Sequence, residues 1–197
     1  VEQDPSSVLA YVGLAKASLE TGKTADAQDA AMAALKVAPA EPEAMYLLGR
    51  ALMESGSTED DRTSLELFDA VVTRNPRHTD VRYFRSVVKL RRRDTQGAIR
   101  DLQDVILEQP YRLDARQSYA RALEAAGDRK GAQEQQRFAG ELAVLEQRRR
   151  SLLDRVNRSP DDMEARCDLA DFYRENQAPD RARAEYQRVL QRNPSHA

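Results

Sequence analysis

Residues 165–194 read ARCDLADFYRENQAPDRARAEYQRVLQRNP, and this stretch decides the fold. Leu169 and the small Ala170 mark the middle of one amphipathic segment. Ala182, Tyr186 and Val189 mark a second, which ends at Pro194. A polar turn with Pro179 lies between them. Each segment is about 14 residues with a helical period. Residues 10–39, AYVGLAKASLETGKTADAQDAAMAALKVAP, repeat the design with Leu14, Ala15, Ala27, Ala31, Ala34 and Pro39.

The prolines carry the period outward. Pro5 to Pro39, Pro76 to Pro110 and Pro160 to Pro194 are each 34 residues. Pro39 to Pro76 is 37, and Pro110 to Pro160 is 50. Small residues recur in register at Ala15, Gly49, Ser86, Ala120 and Ala170, and again at Ala27, Ser64, Ala98 and Ala182. Small residues let paired helices approach, and large ones fill the groove between neighbours. The pattern predicts helices near 6–21, 24–37, 41–55, 60–74, 79–92, 95–108, 112–126, 129–157, 161–175 and 179–192. Thr24 and Asp128 are expected N-caps. Pro42 and Pro179 suit first helical turns, and Gly22, Gly56 and Gly127 suit helix ends.

The two quoted motifs resemble the tetratricopeptide repeat (TPR), a 34-residue helix–turn–helix unit closed by proline. The resemblance covers nearly the whole chain. It implies an all-α, right-handed superhelix (solenoid) of five repeats with one extended helix near 129–157. The tryptophan usual in the family is replaced by Tyr11, Met45, Arg82, Arg116 and Arg166. Arg85 stands where an apolar residue is usual, which predicts a looser contact in the third repeat.

Two irregularities interrupt the register. The three extra residues fall in SGSTEDDRTS (55–64), expected to be a lengthened surface loop. In the fourth repeat Val144 replaces the closing proline, so the helix is expected to run on. There Phe138, Leu142, Leu145, Arg149, Leu152 and Val156 are spaced 4, 3, 4, 3, 4, a 3.5-residue seam broken by one arginine. The seam is expected to pack under the last repeat or to serve self-association. The implied organisation is repeats at 1–128, a long bridging helix at 129–158 and a terminal repeat at 159–197. It reads as part of a longer array.

Composition narrows the function. The chain has 197 residues, 41% hydrophobic and 32% charged. One cysteine, Cys167, and two histidines, His78 and His196, exclude a disulfide framework and leave little for metal or acid–base chemistry. No phosphate-binding glycine loop or nucleophile motif is present. No catalytic residue, metal or cofactor is expected. No stretch is apolar enough to span a membrane, and no signal peptide is visible, so bacterial cytoplasm and periplasm both fit. Residues 1–70 carry net −8 and residues 71–197 net +6, with +7 inside 71–100. The arginine-heavy basic set, 26 of 31, hints at a bacterial genome. Interleaved acids make nucleic acid an unfavoured partner.

A stacked array of this family presents a concave groove lined by first helices. The resemblance places Val12, Lys16, Tyr46, Leu47, Arg50, Met53, Tyr83, Phe84, Val87, Leu90 and Arg91 on that side. Aromatic residues and Met beside Arg have the composition of binding hot spots. The alternative is that several of them pack between helices. Of the positions that hold a two-carboxylate clamp in some relatives, only Lys16 is basic, and Asp80 would repel such a ligand. The expected function is a non-enzymatic scaffold for a protein or peptide. By fold analogy it would act in bacterial secretion, pilus or envelope-polysaccharide assembly. A homo-oligomerisation module built on the long helix is the alternative, and an RNA-binding array is a weaker third.

Overall fold

The computed structural model describes residues 5–54, 56–176 and 178–192. Val1, Pro194 and His196, which bear on the ends of the repeat pattern, lie outside them. Among the described residues there are ten α-helices and no strand. They are α1 Pro5–Glu20, α2 Thr24–Val37, α3 Pro42–Met53, α4 Thr58–Arg74, α5 Thr79–Arg91, α6 Thr95–Glu108, α7 Leu113–Ala125, α8 Arg129–Arg158, α9 Met163–Glu175 and α10 Pro179–Arg192. Every boundary lies within two residues of its expected place. The chain forms two compact units, residues 1–137 and 138–197, so the division falls inside α8.

Unit one holds α1 to α7 and the start of α8. The first helices α1, α3 and α5 each pack on their second, α2, α4 and α6 each pack on the next first helix, and α1, α3, α5 and α7 touch in sequence. The first helices therefore form one continuous face. The small residues set the approach. A Cβ added at Gly49 would lie 2.6 Å from Cε1 of the fully buried Phe68. Ser64 Oγ donates to the Gly49 carbonyl at 2.9 Å. Phe68, Leu47, Leu52, Val71, Val81 and Val88 form one core cluster. Leu102, Val105, Ala115, Ala122 and Ala132 form the next. In unit two, Val156, Leu169, Phe172, Tyr173 and Ala182 form a third.

The junction at α5 corrects an expectation. Arg85 is not a loose contact. Its side chain is buried, and Nε donates to Asp101 Oδ2 at 2.8 Å while Nη1 reaches Asp69 Oδ1 at 2.8 Å. Lys89 Nζ donates to the same Asp101 at 2.8 Å. Asp101, 3% exposed, thus ties α5 to α6, and Arg85 adds α4. Burial weakens the Arg85 cation, but Asp101 and Asp69 outweigh it and raise its pKa.

The arginines in place of tryptophan form a second polar device. Arg82, Arg116 and Arg166 each donate Nε to the carbonyl of the proline six residues earlier, at 2.6, 3.0 and 3.3 Å. Each also reaches the second helix of its own repeat. Arg82 meets Asp104 at 2.7 Å, Arg116 meets Gln135 at 2.7 Å, and Arg166 meets Glu185 at 3.1 Å.

Other expectations change in detail. The N-cap of α2 is Lys23, and Thr24 is already helical. Asp128 does cap, accepting from Gly131 N at 2.9 Å. The three extra residues are helix rather than loop, since α4 has 17 residues where α2 and α6 have 14. Ser57 Oγ accepts from Asp60 N at 3.0 Å, and Glu59, Asp60 and Asp61 in the first turn complement the helix dipole. Gly22, Gly56 and Gly127 end first helices at φ 73°, 68° and 85°. Arg93 holds the same repeat position at φ 64°, where only glycine is at ease.

The α8 seam is uneven. Val156 is buried and Leu152 packs against the third cluster, while Leu145 is 37% exposed. Phe138 and Leu142 are half-buried. Arg149, which interrupts the seam, holds Glu146 at 2.8 and 2.6 Å. Arg149 and Arg150 keep the Glu146 carboxyl down at about 2.

Candidate partner-binding face

The face made by α3, α5 and α7 concentrates aromatic rings and cations. The Arg50 guanidinium lies over the Phe84 ring at 4.5 Å and near the Tyr46 ring at 5.7 Å. Tyr46 sits 6.0 Å from Phe84 and 5.4 Å from His78, and Tyr83 meets Phe84 edge-on at 5.1 Å. Arg112 stacks over Tyr83 at 4.5 Å. His78 is positioned by its own role as the α5 N-cap, accepting from Val81 N at 3.3 Å.

Electrostatics distinguish the two arginines. Arg112 Nη1 holds Asp80 at 2.6 Å, and its Nε holds Asp114 at 2.9 Å. Burial works against the Arg112 cation, but these two acids outweigh it and raise its pKa. Asp80 is thereby neutralised, which removes the repulsion expected of it. No carboxylate pairs with Arg50 among the described residues. The Phe84 and Tyr46 rings lie beside its guanidinium and Tyr46 hydrogen-bonds to it, and its other N–H groups can meet an incoming acceptor. Burial raises the phenol pKa of Tyr46, and burial followed by the Asp114 charge raises that of Tyr83.

The expected site residues differ in how open they are. Tyr46, Leu47 and Met53 are in the core rather than open, at 8%, 1% and 7% exposure. Because first helices touch one another, the α3 flank toward α5 is consumed by that neighbour. Val12, Phe84 and Val87 pack partly against the first cluster, and Tyr83 and Leu90 against the second. Arg50, Tyr83 and Phe84 remain half-open, and Lys16 is exposed. Arg91 is engaged: Nη1 donates to Met53 O at 2.8 Å, and Nη2 lies 2.5 Å from Asp61 Oδ1. Of the nine basic residues in 71–100, four (Arg82, Arg85, Lys89 and Arg91) are paired with Asp61, Asp69, Asp101 and Asp104. Sequence reasoning missed Arg112, the residue just before α7. Its only sign was its place beside Asp114.

In unit two, Cys167 on α9 is half-exposed. Burial, then Asp171, Asp168 and Glu164, raise its thiol pKa, the reverse of activation. Among the described residues no cluster of acidic, histidine and cysteine side chains could hold a metal. No helix among them is long and apolar enough to cross a membrane.

Comparison with known proteins matches this architecture. A tetratricopeptide repeat family model fits residues 12–66 and 143–197, more than half of the chain. The chain belongs to the tetratricopeptide repeat family, which places it among protein-interaction scaffolds. Among curated proteins no sequence matches it. Solved structures share the fold. MamA 41-end from Desulfovibrio magneticus RS-1 aligns at TM-score 0.62 and 18% identity, over 98% of each chain. A MamA crystal structure aligns at TM-score 0.60 and 17% identity, over 95% of this chain and 92% of that one. YrrB, described as a TPR protein with an unusual peptide-binding site, aligns at TM-score 0.57 and 15% identity, over 94% and 86%.

Proposed function

We propose that the chain is a non-enzymatic scaffold that holds a protein or peptide partner on the first-helix face of unit one. The setting we propose is assembly of bacterial secretion, pilus or envelope-polysaccharide machinery. The observation that carries the binding reading is Arg50, stacked on Phe84 with no acidic partner among the described residues. A partner that places an acidic group on Arg50 and an apolar side chain against Phe84 and Tyr83 satisfies both chemistries. Lys16 and Arg50 lie on the touching helices α1 and α3 and favour an acidic segment.

The test is selection of peptides on the 197-residue chain, followed by titration against variants. Phe84→Ala should weaken the selected peptides roughly 30-fold, as expected for an aromatic anchor of about 2 kcal/mol. Arg50→Leu should abolish the preference for acidic peptides. Moderate salt should weaken the part of binding that comes from the exposed Lys16 and spare the Phe84 contact, since screening acts mainly on exposed charges. Selected peptides that bind Phe84→Ala and Arg50→Leu as they bind the parent chain would overturn the reading.

A further inference from the structure

One repeat position runs across the first helices of unit one as a broken row of cations. Lys16, Arg50, Val87 and Arg121 follow one another at 34, 37 and 34 residues, the period of the array. Arg50 is half-open and Arg121 is exposed. Neither has a carboxylate partner among the described residues, although Glu124 lies one turn beyond Arg121 on the same helix. An earlier position in these helices is acidic instead, with Glu43, Asp80 and Asp114 at 37 and 34 residues. Arg112 holds the last two of these acids. The first turns of α5 and α7 are thus neutralised, and the arginine row carries the open charge.

Between the two arginines α5 supplies apolar surface. Val87 is half-open and packs partly on the first core cluster. The Arg50 guanidinium lies over the Phe84 ring at 4.5 Å, and Phe84 meets Tyr83 at 5.1 Å. The Tyr83 hydroxyl hydrogen-bonds with Ser118 and lies in the field of Arg121. Arg50, Phe84, Tyr83 and Arg121 therefore form one strip across α3, α5 and α7.

Packed helices lie about 8–10 Å apart, so arginines two helices apart are separated by about 16–20 Å. An extended chain rises about 3.3 Å per residue and crosses that distance in about five or six residues. We infer that the partner presents an extended segment with two acidic side chains at that spacing and an apolar side chain midway. The acids meet Arg50 and Arg121, where a guanidinium can bind a carboxylate with two parallel hydrogen bonds. The apolar side chain lies on Val87 and Phe84. This rests on the binding face proposed above and adds to it a second cation, a spacing and a path across the helices.

The test is selection of peptides from a random library on the 197-residue chain and, separately, on Arg121→Leu, with circular dichroism to confirm that the variant keeps its helices. Arg121 is exposed, so the substitution spares the core. Peptides selected on the parent should share an acidic, apolar, acidic pattern at steps of about three residues. Those selected on Arg121→Leu should keep one acid and the apolar residue and lose the other acid. A parent-selected peptide should bind Arg121→Leu about fivefold more weakly, a gap that closes as salt is raised. Acids at no fixed spacing, or equal binding to Arg121→Leu, overturn the proposal, and the face itself stands if Phe84→Ala still weakens those peptides. Peptides indifferent to Phe84→Ala, or no selected peptides at all, overturn both. A single-stranded oligonucleotide that binds through the same arginines more tightly than any selected peptide assigns the row to phosphate and overturns the proposal as well.

Discussion

The α3–α4 and α5–α6 pairs share one geometry and differ in chemistry at one place. In the first, Leu48, Leu52 and Leu67 flank the Gly49–Phe68 contact, and all belong to or pack against one apolar cluster. In the second, the equivalent residues are Arg85, Lys89 and Asp101, flanking Ser86 and Leu102. Three leucines have been exchanged for an ion triad without loss of the repeat. The closely packed centre sets how near the helices come. The flank accepts either chemistry, provided its members agree with one another. A lone arginine there would be a buried charge; with Asp101 it is a cross-link.

The largest expected effect comes from breaking the ionic version on one side. Asp101→Ala leaves Lys89 without a counterion and Arg85 with only the exposed Asp69. It should lower stability by about 3–5 kcal/mol, read as a fall in the denaturant midpoint. Next comes the close contact of the apolar version. Gly49→Ala forces a methyl into the Phe68 ring, which is fully buried and has nowhere to move. Overpacking of this kind should cost about 1–3 kcal/mol by the same measurement. If Gly49→Ala is silent, the approach of the helices is not what fixes the repeat.

A smaller effect of opposite sign sharpens the comparison at the turns. Arg93 takes the left-handed conformation that Gly22, Gly56 and Gly127 take in their repeats. Arg93→Gly should therefore raise stability by about 1 kcal/mol, seen as a higher thermal midpoint.

The helices and their register were legible because prolines and small residues recur at fixed intervals, and each acts locally. The pairings were not. Arg85 alone reads as a defect in the apolar pattern, and Asp101 alone as a polar residue on a buried face. They lie 16 residues apart on different helices, so only their positions relative to Leu48 and Leu67 reveal a pair. The arginines in the tryptophan place carry a similar hint. Arg82, Arg116 and Arg166 are each followed 19 residues later by Asp101, Gln135 or Glu185, where the repeat with Tyr11 carries Ala30 and the repeat with Met45, longer by three, carries Leu67 22 residues on. On the binding face, the aromatic residues were visible but their depth was not. Tyr46 lies against His78 and Phe84 and Leu47 is in the first core cluster, and those contacts exist only once the repeats stack.

The exchange of chemistries at one fixed geometry is tested most directly by converting the α5–α6 flank to the α3–α4 flank. Thermal and denaturant unfolding of Arg85→Leu/Lys89→Leu/Asp101→Leu would be measured beside Asp101→Leu alone. The single variant should lose about 3–5 kcal/mol, and the triple variant should return to the parent value or exceed it by about 1–4 kcal/mol. A triple variant no more stable than the single one would contradict the account, because the flank would then need its ions for more than mutual compensation.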